Sequence, residues 1–264
     1  MGKNEDSSQL TKDMLDKAFE RFKEARNKSN SRLKSWEHCF AQFSAVLKDL
    51  KDKNRVPDDI TDGEIDNLCL HLGFYLASWG MMRGSSELLQ CDYKIHENAV
   101  KCILEYHELH GIDLDELCKD KKDDFEDLCK GIKEAYDWDI SPILLSKIIL
   151  GTIGIVPAYD GCFVEALREY GISESVKFGV GSLEKLSEYF SDKFKKEIDD
   201  YVKEMKEIAG KEGCPHYTRA KVIDSIMWFL GSEIFQKKNL SKLLSDKNIK
   251  ELEKCLDALA SAYK

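Results

Sequence analysis

Residues 141–163 read SPILLSKIILGTIGIVPAYDGCF, and this stretch decides the fold class. Ser141-Pro142 supplies a helix N-cap followed by proline at the first helical position. The apolar run behind it predicts a helix through Leu150 or Thr152. Gly151-Thr152-Ile153-Gly154-Ile155-Val156-Pro157 breaks that helix, and a second short one is expected from Gly161 to Tyr170, ending before Gly171. Asp160 stands where that second helix needs its cap, and Phe163, Leu167 and Tyr170 fall on its apolar side. No run of alternating β-branched residues offers a strand; Val156 and Val176–Val180 come nearest, and both are flanked by glycine. Only seven charged side chains occur in the 43 residues from 140 to 182, the mark of a segment buried inside the fold.

Working outward, helical period continues in both directions. Leu15, Phe19, Phe22 and Arg26, then Trp36, Phe40, Phe43, Leu47 and Leu50, predict two amphipathic helices parted near residues 27–31. Pro57-Asp58-Asp59 and Thr61-Asp62 supply a break and a cap, after which a helix is expected over Gly63–Met82. Another is expected over 95–110, with Ile95, Ala99, Cys102, Ile103, Tyr106 and Leu109 on its apolar side. The acidic stretch 113–137 keeps Leu114, Leu117, Phe125, Leu128 and Ile132 in helical register. Leu183–Gly210, Arg219–Phe235 and Asn239–Ala260 complete the pattern. The expectation is an all-α single bundle of roughly nine to eleven helices with no substantial sheet. Its parts are N-terminal amphipathic helices (1–55), a central core (56–182) and C-terminal helices packed on it (183–264).

The chain has 264 residues, 42% apolar and 34% charged, enough apolar content for a real core, which excludes collagen-like, disordered and disulfide-scaffold classes. Its longest apolar run, Leu68–Met82, is interrupted by His71, Gly73, Ser78 and Gly80 and is shorter than the roughly 20 residues of a membrane span. The first twenty residues are polar, so no secretory leader is expected, and Gly2 with Ser7 misses the myristoylation spacing. Nine cysteines form no C-x-x-C pair, and most sit in apolar helical patterns, which predicts free thiols in a reducing cytoplasm. The formal charge of −9 divides unevenly. Residues 1–55 carry 13 basic and 9 acidic side chains, whereas 105–139 carry 5 basic and 13 acidic. The acidic segment reads as a solvated face that offers a patch to a protein partner.

Two segments put polar residues where a plain core helix would not. In Trp79-Gly80-Met81-Met82-Arg83-Gly84-Ser85-Ser86, Arg83 ends an apolar run and calls for an anionic or carbonyl partner, while Ser85 and Ser86 stand where a new helix could start. Together they suggest an anion cradle, with Tyr93 and His96 following close behind. The plainer alternative is that Arg83 caps its own helix and a serine caps the next. In the second segment, Tyr159-Asp160 occupies the least charged part of the chain, where a carboxylate must either cap, pair with a base such as Arg83, or change its acidity.

Ser146-Lys147-Ile148-Ile149-Leu150, Val156-Pro157-Ala158-Tyr159-Asp160, Phe163-Val164, Leu167-Arg168 and Gly171 resemble the region of helix-hairpin-helix DNA glycosylases in which a helix leads through a Pro-containing loop to an Asp and a further short helix. That resemblance covers about 30 residues and implies a catalytic role in base excision for Asp160 alone. The Gly-x-Gly hairpin is replaced by Tyr136-Asp137-Trp138-Asp139-Ile140, and Ser141 falls near the place of the catalytic Lys of bifunctional members. The whole chain also resembles bacterial all-helical proteins that carry Trp-Gly-Met-x-Arg-Gly-Ser-Ser and Pro-Ala-Tyr-Asp segments. This second likeness implies no activity, but it groups the two segments into one site.

Other motifs are plainer. His107-x-x-His110 with Glu105 and Glu108 lacks a third convergent metal ligand. Lys221 and Asp224 are spaced as an ion pair on a helix surface. No nucleotide-binding loop, nucleophile elbow or zincin motif occurs, so neither a cofactor nor a metal is implied. The sequence favours a cytosolic binding or regulatory protein with a site at Trp79, Arg83, Ser85, Ser86, Tyr93, His96, Tyr159 and Asp160. A nucleic-acid-directed, glycosylase-like protein using Asp160 and a small-molecule enzyme with a pocket between helices are the alternatives. The net charge disfavours nucleic acid, and a membrane partner is not expected.

Overall fold

The computed structural model describes residues 9–53, 55–214 and 216–243, with side chains described as far as 239. The helix expected over Asn239–Ala260, Cys255, and the Gly2 and Ser7 positions fall wholly or largely outside those residues. Eleven α-helices and no strand occur among the described residues: α1 Lys12–Asn27, α2 Lys34–Lys53, α3 Asp62–Ser78, α4 Glu97–Glu105, α5 Leu114–Asp120, α6 Lys122–Glu134, α7 Pro142–Thr152, α8 Gly161–Glu169, α9 Val180–Lys193, α10 Lys195–Gly210 and α11 Arg219–Leu243. The all-α reading holds, and none of the described helices is long and apolar enough to cross a membrane.

Local chemistry starts the helices where the sequence places caps. Thr61 accepts from the Glu64 amide and Glu64 answers at Thr61, a capping box that opens α3. Ser141 accepts from Leu144 N and opens α7. The charge-poor α7 is buried from Leu144 to Thr152, and the Trp36 indole of α2 donates to the Leu150 carbonyl at 2.7 Å. One continuous core runs from Leu15 and Phe19 of α1 through Phe40 and Phe43 of α2 to Ile226 and Met227 of α11. It also encloses a charge pair. Arg26 of α1 holds Glu37 of α2 through Nε–Oε1 at 2.8 Å and Nη2–Oε2 at 2.7 Å, with both side chains buried. The fork-to-fork geometry satisfies the desolvated ions.

Several boundaries differ from expectation. α3 stops at Ser78 instead of Met82, because Gly80 takes φ +73° and a Schellman turn follows, with Gly80 N donating to Ala77 O and Met81 N to Leu76 O. Leu183–Gly210 is two helices, broken at Phe194, whose φ of −140° lets a ring that is almost fully buried pack against Phe190 and Tyr189. The acidic stretch is likewise split at Lys121, and 95–110 is α4 flanked by short turns. In contrast, α11 runs unbroken through residues 236–238, where the sequence suggested a gap. It packs on α8 so closely that a Cβ at Gly231 would collide with the Cys162 carbonyl, so only glycine fits there.

Candidate functional site

The two segments singled out in the sequence face one open pocket of about 730 Å³. Its walls come from the α1–α2 connection (Arg32), the loop after α3 (Trp79 to Glu87), the approach to α7 (Trp138 to Lys147), the start of α8 (Asp160 to Cys162) and α11 (Trp228, Phe235).

Asp160 is placed by its own backbone and by two buried anchors. Ala158 N donates to Asp224 Oδ1 at 3.0 Å, and Tyr159 N donates to Ser146 Oγ at 2.9 Å, which pins the extended 155–159 segment between α7 and α11. Asp160 Oδ1 then accepts from the amides of Cys162 and Phe163, both at 3.1 Å, capping α8 as its position in the sequence suggested. The other oxygen, Oδ2, accepts from Lys147 Nζ at 3.1 Å. The partner of Asp160 is therefore Lys147, thirteen residues earlier on α7, rather than Arg83. The side chain of Lys147 is 4% exposed and that of Asp160 18%, so of two residues that both line the pocket the carboxylate is the more open.

A second Lys–Asp pair lies behind the first. Lys221 Nζ donates to Asp224 Oδ2 at 2.8 Å with side-chain exposures of 5% and 9%, so this pair is sealed in the interior and not on a helix surface. Trp79 stands between the two pairs. Lys147, Arg32 and Lys221 lie 5.1, 5.2 and 5.5 Å from its ring, and Trp228 meets it edge-on at 5.8 Å. Arg32 also lies 5.7 Å from the Trp228 ring, so two indoles hold its guanidinium in place. Trp79 Nε1 is buried and has no hydrogen-bond acceptor.

Arg83 is exposed and folds back over Gly80, 3.3 Å from where a Cβ would stand, and it makes no ion pair or hydrogen bond among the described residues. Ser86 lines the pocket while its hydroxyl donates to Met81 O at 2.6 Å. Ser85 is exposed and does not line the pocket, and the turn at Glu87–Gln90 begins without a side-chain cap. Three further expected site residues point elsewhere. Tyr93 OH donates to Asp66, and His96 is buried with Nδ1 2.8 Å from Tyr136 OH. Burial pushes His96 down to about 4, so its ring is neutral. Tyr159 is buried against Phe163 and Phe178, its hydroxyl unpartnered and its acidity suppressed by desolvation.

Arg32, Trp138, Lys147, Trp228 and Phe235 line the pocket without being among the site residues expected from the sequence. Only Lys147 carried a usable sign, as the one charge inside an apolar helix. Cys162 lines the pocket at the start of α8, yet desolvation and the neighbouring Asp160 raise its thiol, so it is held as a weak nucleophile. His107 and His110 turn to different partners, the Leu104 carbonyl and Ser44 Oγ, and no cluster fit to hold a metal occurs among the described residues. The eight described cysteines are free thiols.

No family model, curated protein or solved structure matches the chain. What the arrangement can do chemically follows from its groups: guanidinium donors for an anion, indole and phenyl surfaces for an apolar body, and a carboxylate held by a lysine.

Proposed function

We propose that this is a binding protein whose pocket takes a small organic anion with an apolar or planar body. One observation carries the reading: two guanidinium groups, Arg32 and Arg83, line a pocket of about 730 Å³ without a carboxylate partner among the described residues, and one of them lies against the Trp79 and Trp228 rings. A pocket of that size suits a small-molecule ligand, and preorganised Arg donors suit carboxylate or phosphate. Asp160 and Lys147 would orient the ligand from the inner wall. The free cysteines favour a reducing compartment, so a cytosolic location belongs to the same proposal. So does a protein partner for the acidic 105–139 face.

The nucleic-acid-directed reading has in its favour that Asp160 faces the pocket. Against it, Arg21, Lys23, Arg26 and Lys34 are engaged with Glu233, Glu204, Glu37 and Glu212, which leaves the basic N-terminal arm few cations for phosphates.

Thermal-shift measurement of the full chain against phosphorylated and carboxylated metabolites tests the proposal. A ligand present at a hundredfold excess over its Kd adds about 2.7 kcal/mol, or roughly 5–10 °C for a domain of this size. Arg83→Ala and Arg32→Ala should each remove most of that shift. A panel without any stabilising anion, or a shift unchanged in both variants, would sink the reading.

A further inference from the structure

We infer that the ligand of this pocket is a zwitterion, a free α-amino acid with an aromatic side chain. The inference rests on the binding reading above and narrows its ligand class. The pocket wall carries three cations, Arg32, Arg83 and Lys147, and three carboxylates, Glu87, Asp139 and Asp160. Lys147 and Asp160 neutralise each other at 3.1 Å. Arg32, Arg83, Glu87 and Asp139 remain, two of each sign around one cavity, and none of the four forms an ion pair among the described residues.

Unlike charges in one pocket ordinarily collapse onto each other. Here Arg32 is held against Trp79 and Trp228, and Arg83 is folded over Gly80. Neither guanidinium meets Glu87 or Asp139 in an ion pair among the described residues, so a bound group that carries both signs can supply the counter-charges. A simple anion or polyphosphate satisfies the guanidinium groups but leaves the exposed Glu87 and Asp139 without a counter-charge, and a balanced wall gives a polyanion no steering field. A carboxylate and an ammonium on one small molecule satisfy both sets. The rest of the pocket fits the side chain of such a molecule. Trp138, Ile143 and Phe235 line the same cavity, with Ile143 38% and Phe235 48% exposed, so an aromatic ring would cover apolar surface now open to water.

Titration calorimetry of the full chain at pH 7.5 in low salt tests this with L-phenylalanine, 3-phenylpropionate, phenethylamine and adenosine monophosphate. L-Phenylalanine should bind, and removing either of its charges should weaken binding about tenfold, the effect of one charged hydrogen-bonded contact. Glu87→Gln with Asp139→Asn should weaken L-phenylalanine by a similar factor and leave 3-phenylpropionate at least as tight, whereas Arg83→Ala should weaken both. If 3-phenylpropionate or adenosine monophosphate binds as tightly as L-phenylalanine, the zwitterion is wrong and the anion pocket stands. If none of the four binds, the zwitterion is wrong as well, and the anion pocket falls only if the wider metabolite panel is also silent.

Discussion

Replacing Asp160 by Asn removes a charge from the pocket wall while keeping the shape of the loop. Asn still offers an oxygen to the Cys162 and Phe163 amides, so the cap on α8 survives. What is lost is the negative partner of Lys147 at 3.1 Å. Breaking a fully buried pair by removing one partner costs about 3–5 kcal/mol. Lys147 is 4% exposed, but the Asp160 side is 18% exposed and opens on the pocket, so water can reach the ammonium, and the loss should fall to about 2 kcal/mol. The matching change at Asp224 strips a pair whose members are only 5% and 9% exposed, so its cost should sit near 4 kcal/mol. Equilibrium urea unfolding followed by far-UV circular dichroism reads both losses as midpoint shifts at constant slope. Adding Lys147→Met to Asp160→Asn should restore most of the loss, since the unpaired ammonium goes with it. The reasoning is refuted if Asp160→Asn costs as much as Asp224→Asn, or if the double variant is weaker than the single.

Two further outcomes follow from the core. Burial holds His96 at about 4 against an ordinary 6.5, so the unfolded chain takes up the proton first as pH falls. The stability tied to this neutral ring is complete above pH 6.5 and is lost between 6.5 and about 4, a loss of roughly 3 kcal/mol. His96→Asn should flatten that acid limb, leaving the similar contribution of His110, which burial also holds at about 4; an unchanged slope of urea midpoint against pH would contradict this. Gly231→Ala should cost about 3 kcal/mol, because its methyl would meet the Cys162 carbonyl, and should disturb the pocket wall that follows Asp160. Gly161→Ala, where nothing lies within 4 Å of the new methyl, should be far milder in the same urea unfolding assay; equal losses would show that the α8–α11 contact is looser than described.

The helical class, the caps at Thr61, Ser141 and Asp160, and the burial of 144–152 were legible because each depends on residues within one turn of each other. Gly80 carried the sign that ends α3, and reading it as a C-terminal glycine would have moved Arg83 into a loop. The break at Phe194 had no such sign: neither Gly nor Pro stands there, and the helix yields to an aromatic cluster with Tyr189 and Phe190. The site was legible in part. Trp79, Arg83, Ser86 and Asp160 share the pocket, whereas Ser85, Tyr93, His96 and Tyr159 do not line it.

The sequence by itself determined that the chain is a bundle of amphipathic and buried helices, and that one carboxylate stands out in a charge-poor interior. Periodicity and capping are local, so they survive in one dimension. Only the tertiary structure decided which base meets that carboxylate. Lys147 and Asp160 are brought together by a loop pinned at Ser146 and Asp224, and Arg32, Trp138 and Trp228 join them from three other parts of the chain. Contacts of that kind depend on how helices pack in space, where distance along the chain no longer measures distance between charges.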